Sequence, residues 1–353
     1  MSKTSKTING KSNKFTFIDL FAGIGGFRMA LEELGGMCIF SSEWDKNSQS
    51  TYSANFGDTP QGDITKIKEK NIPRHDVLCA GFPCQAFSIS GKRLGFDDTR
   101  GTLFRDIARI AKYHQPKILF LENVKNLLRH DNGNTIKVIE NTLNEVGYNT
   151  FIKVLRSSDY GVPQARERVY MVAFRKDLNV TEFTFPNNSN SLKVVKDIIE
   201  PEINVDKDCY INRSDMEIYG DEKSVNDPRR PLQIGKINKG GQGERIYSIY
   251  ASGITLSAYG GGAASKTGAY FINNKVRKLT PRECARLQGY PESFVIPVKR
   301  NIAYKQFGDS VSVPVLIAIF KKVLETYPLT ENEKSLTKKR GKIEQLNLET
   351  YNV

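Results

Sequence analysis

One junction constrains this chain more than any other stretch. An apolar run, Phe15–Phe21, breaks at Gly23, Gly25 and Gly26 and passes into an amphipathic stretch from Gly25 to Leu34. A buried strand that turns through glycines into a helix leaves backbone N–H groups and a helix N-terminus facing whatever lies above the turn. The alternation recurs downstream. Cys38–Ser42, Val77–Ala80 and Ile118–Leu121 read as strands, and Leu103–Lys112 and Thr135–Val146 as helices. Phe151–Leu155 and Val169–Phe174 read as a last pair of strands. Strands alternating with helices predict an α/β fold, a parallel sheet with helices on both faces. Such sheets bind ligands beyond the carboxyl ends of their strands, so the residues that follow each apolar run are where chemistry is expected.

Four such places carry polar residues. The glycine turn itself lacks the Gly-x-Gly-x-x-Gly spacing of dinucleotide binders, which disfavours a nicotinamide oxidoreductase. The second strand ends at Glu43-Trp44, where a carboxylate can bind two ribose hydroxyls and an indole can stack on adenine. Asp63 adds an acceptor for an adenine amino group. A solvated turn is the ordinary alternative for each acid; the three in this order favour a nucleoside pocket. The third strand runs into Phe82-Pro83-Cys84-Gln85. A thiol at that position is a nucleophile if its pKa is lowered, against the commoner fate of a buried structural cysteine. The fourth strand runs into Glu122-Asn123-Val124. An acid following five residues of Lys-Ile-Leu-Phe-Leu is partly desolvated, its pKa is raised, and once protonated it can donate to a ring nitrogen; helix capping is the competing role. Gln164-Ala165-Arg166-Glu167-Arg168 precedes the last strand, and its two arginines point either toward a ligand carbonyl or into a surface salt-bridge set.

Charge and cysteine usage narrow the partner and the compartment. Of 353 residues, 52 are Lys or Arg and 39 Asp or Glu, and the net charge of +13 suits a polyanion such as nucleic acid. The five cysteines are scattered without a Cys-x-x-Cys pair and there are three histidines, so neither a disulfide framework nor a metal site is expected. No apolar run is long enough to span a bilayer, and Met1–Lys14 has no apolar core of a secretory signal. Beyond about Asn187 the chain turns rich in Asp, Asn, Gly and Ser, with glycine runs at Lys239–Gly243 and Gly260–Gly262, which reads as a smaller, loop-rich unit. Regular structure returns at Pro281–Leu287 and Val313–Leu324.

Taken together, these motifs closely resemble the cytosine-C5 DNA methyltransferases. The resemblance covers Phe15 to Leu324. It is carried by the Phe-x-Gly-x-Gly-Gly turn, Pro83-Cys84-Gln85, Glu122-Asn123-Val124, Gln164-x-Arg166-x-Arg168, Arg282-Glu283-Cys284-Ala285-Arg286-Leu287-Gln288-Gly289-Tyr290-Pro291 and Gln306-Phe307-Gly308. Lys239–Ser248 and Ile254–Gly262 look most like a bacterial member that methylates the inner cytosine of GCGC.

The resemblance implies a Rossmann-like methyltransferase sheet with a small, mostly β target-recognition domain. It implies a leader at 1–14, a catalytic and cofactor domain at 15–196 plus 306–328, target recognition at 197–280, a hinge at 281–305 and a polar tail at 329–353. S-adenosyl-L-methionine is the expected methyl donor and S-adenosyl-L-homocysteine the product. Phe21, Gly23, Gly25, Glu43, Trp44, Asp63, Ile64, Pro83, Leu103 and Ser310 are expected to bind it, with Val311 beside Ser310. Cys84 is the expected nucleophile toward cytosine C6. Glu122 would hold the N3/N4 edge, Arg168 the O2 carbonyl, Arg166 would support the site, and the Phe82 carbonyl would accept from the exocyclic amine. The target base must leave the duplex to be reached. Ser90 and Gln242 are implied to fill its place, Arg245 to read guanine, Thr255 to contact the DNA backbone, and Tyr259 and Gly262 to lie against the bases. The partner is double-stranded DNA, bound by a monomer in the bacterial cytoplasm, on the nucleoid; an RNA cytosine methyltransferase on the same fold and a non-catalytic DNA binder are the rivals. One position departs from the family, which has Asn in Gly-Asn-Ser/Ala-Val: here it is Gly308-Asp309-Ser310-Val311, and an ionised carboxylate cannot donate the hydrogen bonds of an amide.

Overall fold

A computed structural model describes residues 14–83, 103–189 and 191–329. Strands β1 (Phe15–Leu20), β2 (Gly36–Ser42), β3 (Val77–Gly81), β4 (Ile118–Val124), β5 (Tyr148–Arg156) and β6 (Glu167–Arg175) form one sheet in the order β2-β1-β3-β4-β6-β5. β1, β3 and β4 are buried almost throughout, as strands covered on both faces must be. Helices α1 (Gly26–Glu33) and α7 (Val313–Thr326) share a core with Phe17, Phe120 and Val172 on one face; α3 (Leu103–His114) and α4 (Asn134–Glu145) share one with Leu78, Leu119 and Met171 on the other. Because β1 connects outward to β2 on one side while β3 and β4 lie on the other, the chain reverses direction between β1 and β3. A crevice at that point is the expected ligand site of a doubly wound sheet.

Two expectations need correction. The sheet is not all parallel: β6 runs antiparallel to both β4 and β5. Only residues 157–166 join β5 to β6, with no crossover helix, and a parallel return needs a dozen residues or more. Two helices also escape a reading by periodicity, α2 (Lys46–Phe56) and α6 (Arg300–Asp309). α2 is almost wholly polar and buries only Gln49, Thr51 and Tyr52; Asp45 caps it by accepting from Ser48 N at 2.9 Å. α6 runs across the expected boundary between the hinge at 281–305 and the catalytic unit at 306–328.

The second sheet joins β7 (Met216–Ile218), β8 (Gln233–Ile237), β9 (Arg245–Tyr247), β10 (Ala269–Ile272) and β11 (Lys275–Lys278) in the order β11-β10-β9-β8-β7. A small core of Ile234, Ile237, Ile246, Ala269 and Val276 sits beneath it. Asn273 and Asn274, both at positive φ, close the β10–β11 hairpin. β11 is tied to α5 (Pro281–Leu287) by Arg277 and Glu283, 2% and 0% exposed and 2.6 Å apart. Glu283 also accepts from Thr280 N and Glu200 N, so its charge is compensated on every side.

Candidate active site

The carboxyl ends of β1 to β4 open into one cavity of about 790 Å³. One end is built by the turns after β1 and β2. Phe21 and Gly23 both take φ near +55°, which swings the Gly23 N–H toward β2. Glu43 receives it at 2.8 Å on one carboxylate oxygen and Asp45 N at 2.8 Å on the other. Burial raises the Glu43 pKa, and these two amide bonds pull it back. Trp44 is 78% exposed and lies along the wall. Gln61 pairs with the end of β2, accepting from Glu43 N and donating to Ser41 O at 2.8 Å each, and this brings Asp63 alongside. Asp63 accepts from the hydroxyl and N–H of Thr65, which hold its carboxyl below the ordinary range. Arg109 fixes the turn by donating to Ile64 O at 2.8 Å.

The other end lies between β3, β4 and β6. Gly81 pairs in register with Glu122, so the acid stands against the end of β3. Asn123 donates to Phe82 O at 2.8 Å and fixes the segment that leads into Pro83. Glu122 is 7% exposed, and burial raises its pKa against the pull of Arg168 and Arg166. Arg168 Nε stands 3.2 Å from Glu122 Oε1. Its N–H is not aimed at that oxygen, which is without a hydrogen bond among the described residues. The pair is therefore close enough to interact by charge while the oxygen keeps an open valence for another group.

The two arginines do not act alike. Arg166, 2% exposed, donates to Leu256 O, Gly308 O and Ser310 O at 2.6–3.3 Å. Burial, then the neighbouring Arg168, brings its pKa down to about 9. Its guanidinium joins β6, a loop of the second sheet and the α6–α7 turn, so it positions the site rather than offering a free fork to a ligand. The surface salt-bridge reading of this motif fails for Arg166 but holds for Glu167, which pairs with Lys125 at 2.8 Å and Arg156 at 3.3 Å. Gln164, fully buried, works beside it, accepting from Leu256 N at 3.0 Å and donating to Leu287 O at 3.0 Å.

Phe21, Gly23, Glu43, Trp44, Asp63, Ile64, Pro83, Leu103 and Ser310 all line this cavity, together with Glu122, Arg166, Arg168, Val311 and Tyr259. Gly25 does not. It takes φ +86° at the start of α1, and a Cβ there would collide with the Phe56 ring, so it serves the turn. Tyr259, expected on the DNA face, is 73% exposed at the cavity wall. Thr255 donates to Ala165 O at 3.0 Å, so its hydroxyl proton is not free for a DNA phosphate. Gln242 and Gly262 are exposed on two glycine loops that interlock through Ala264 N and Gly243 O at 2.8 Å, and Arg245 is exposed at the start of β9. Cys84 and Ser90 lie outside the described residues. Sequence reasoning gave no role to Gln164, Asn123 or Lys305; the first two stand inside quoted motifs, while Lys305, whose Nζ lies 3.6 Å from Asp45, gave no signal of its own.

Comparison with known proteins bears on the whole of this arrangement. The family described as C-5 cytosine-specific DNA methylase matches residues 15–325. The type II methyltransferase M.HhaI of Haemophilus parahaemolyticus is 55% identical over 300 residues, 85% of this chain and 91% of that protein. M.HpaII of Haemophilus parainfluenzae is 46% identical over 335 residues, covering 88% and 90%. Among solved structures, a DNMT2 variant of Spodoptera frugiperda superposes with a TM-score of 0.68 at 20% identity, over 88% of this chain and 99% of that one, which is a likeness of fold.

Proposed function

The chain belongs to the C-5 cytosine-specific DNA methylase family, and on that premise we propose how this DNA cytosine methyltransferase of the restriction–modification kind works: it moves a methyl group from S-adenosyl-L-methionine to C5 of a flipped-out cytosine in a GCGC-like duplex site. The observation that carries the reading is that one cavity holds both halves of the chemistry. The Gly23–Glu43–Trp44–Asp63 end suits a nucleoside, and the Glu122–Arg168 end suits the polar edge of a pyrimidine. The residues fit the donor: the volume is that of a pocket for a ligand of its size, an exposed indole stands beside a carboxylate, and Asp63 remains an ionised acceptor.

When bound, the donor supplies an electrophilic methyl group on a sulfonium. The chain's own residues make cytosine C5 nucleophilic enough to accept it. The Cys84 thiolate adds to C6, and the displaced electron pair makes the ring an enamine. Glu122, whose pKa burial raises against the pull of Arg168 and Arg166, gives a hydrogen bond or a proton to N3 and draws those electrons through the ring. Arg168 holds O2. After methylation the C5 proton leaves to a base, water or hydroxide, and the returning electrons expel Cys84. Arg166 and Gln164 keep the recognition loop and the α6–α7 turn in register with β6.

The same proposal divides the chain into the catalytic unit 15–196 plus 306–328, recognition at 197–280 and the intervening hinge. Gln242 and Ser90 fill the vacated stack, and Arg245 reads guanine. The protein acts on the chromosome as a monomer, and lysines and arginines on both units neutralise phosphates, so affinity falls steeply with salt.

The test is duplex DNA carrying 5-fluorocytosine, whose C5 has no proton to lose. Incubation with S-adenosyl-L-methionine is expected to give a denaturation-resistant protein–DNA complex that Cys84→Ser abolishes. If no such complex forms, the covalent route fails. Protection of GCGC sites from cleavage in methylated plasmid tests the sequence choice, and a transfer RNA substrate tests the RNA rival.

A further inference from the structure

Asp309 is the one carboxylate in the α6–α7 turn, where burial raises its pKa and the charges of Lys305 and Arg166 pull it back. It ends α6, where the helix already presents the negative end of its dipole. Its side chain is exposed and forms no hydrogen bond or ion pair with the described residues, yet it lines the cavity. The cations nearby are committed. Lys305 pairs with Asp45 at 3.6 Å, and Arg166 is taken up by the carbonyls on either side of Asp309, those of Gly308 and Ser310.

Those bonds also locate Asp309. Its flanking carbonyls are tied to the base end of the cavity through Arg166, and one helical turn back Lys305 reaches the nucleoside end at Asp45. A methyl group passing from one ligand to the other lies between those two ends, and so does the sulfur that carries it. We propose that Asp309 makes the cavity select the cationic methyl donor over its product, the two differing by a methyl group and a positive charge on sulfur. The consequence is weaker retention of S-adenosyl-L-homocysteine. The inference rests on the cofactor assignment above.

A carboxylate several ångströms from a sulfonium in a partly wet cleft changes affinity by about 3- to 10-fold. Calorimetric titration of the full chain and of Asp309→Asn reads this directly. Three probes are needed: S-adenosyl-L-methionine, S-adenosyl-L-homocysteine, and sinefungin, which carries an ammonium group in place of the methylated sulfur. Asp309→Asn is expected to weaken the two cationic ligands by about that factor and to leave the homocysteine within twofold. Equal weakening of all three, or an unchanged ratio, overturns the inference while the cofactor assignment stands. Failure of the unaltered chain to bind any of the three overturns the assignment itself.

Discussion

Asp19 carries the sharpest test of how the sheet is held together. It is the penultimate residue of β1, level with Ser41 of β2 and Cys79 of β3. It is 1% exposed, and neither carboxylate oxygen has a hydrogen-bond partner among the described residues. Burial pushes its pKa from 3.8 to about 8, with Arg28 pulling back and Glu43 and Glu32 adding to the rise. The folded state therefore binds this proton more tightly than the unfolded chain does. Below pH 3.8 both states are protonated and the group is neutral in its effect. As pH rises the unfolded chain gains the freedom to ionise, and folding loses about 1.4 kcal/mol per unit until the folded pKa is passed. Between pH 5 and 8 the loss comes to roughly 3.5 kcal/mol. Asp19→Asn has the same shape and no titration. Its buried amide costs about 1–3 kcal/mol at every pH, so it starts within about 1.5 kcal/mol of the parent at pH 5 and overtakes it by pH 8. Urea unfolding of both proteins from pH 5 to 9 measures the difference, which is expected to climb through pH 8 and then flatten. A difference that does not change with pH refutes the neutral buried acid.

Two further substitutions probe the site, and a third probes the tie between β11 and α5. Glu122→Gln keeps the shape but offers no proton, and methyl transfer is expected to fall by about 10²- to 10⁴-fold with duplex affinity retained, read by single-turnover kinetics beside a binding titration. Arg166→Lys puts one ammonium where a planar fork meets three carbonyls; cofactor affinity and duplex affinity are expected to weaken together, since the same side chain holds both walls. Arg277→Met leaves Glu283 charged and buried, which is expected to cost about 3–5 kcal/mol in urea unfolding, while the double variant with Glu283→Leu recovers only part of it, because Thr280 N and Glu200 N lose their acceptor.

What the sequence made legible was the set of elements whose pattern is local. Continuous apolar runs marked β1 to β4, and the described residues at their carboxyl ends line one cavity, because parallel strands end on the same edge of the sheet. What it hid depends on partners far along the chain. α2 buries Gln49, Thr51 and Tyr52 and so has no apolar stripe to read. The direction of β6 follows from the length of its connection, and neither strand's composition encodes it. Arg166 looked like a surface charge because its partners are carbonyls of Leu256, Gly308 and Ser310, and a carbonyl is the same in every residue. Gly25 stands among cofactor-site neighbours in the sequence, yet its missing Cβ makes room for Phe56.

Carbonyl-mediated joining of the two units leads to a last test, at Gly308. A Cβ there would run into the backbone of Ser257 and Ala258, the recognition-side loop whose neighbour Leu256 is held by Gln164 and Arg166. Gly308 lies within α6 and outside the left-handed region, so alanine suits its backbone and by helix propensity alone would stabilise by about 1 kcal/mol. Propensity and packing thus predict opposite signs for Gly308→Ala. If the loop truly rests against α6, the variant unfolds at lower urea concentration despite its better helix former, and methyl transfer drops with it as the loop and the α6–α7 turn are forced apart. A variant that is more stable and equally active would mean that the loop does not pack there, and the role given to Arg166 as the tie between the recognition loop and the cofactor wall would fall with it.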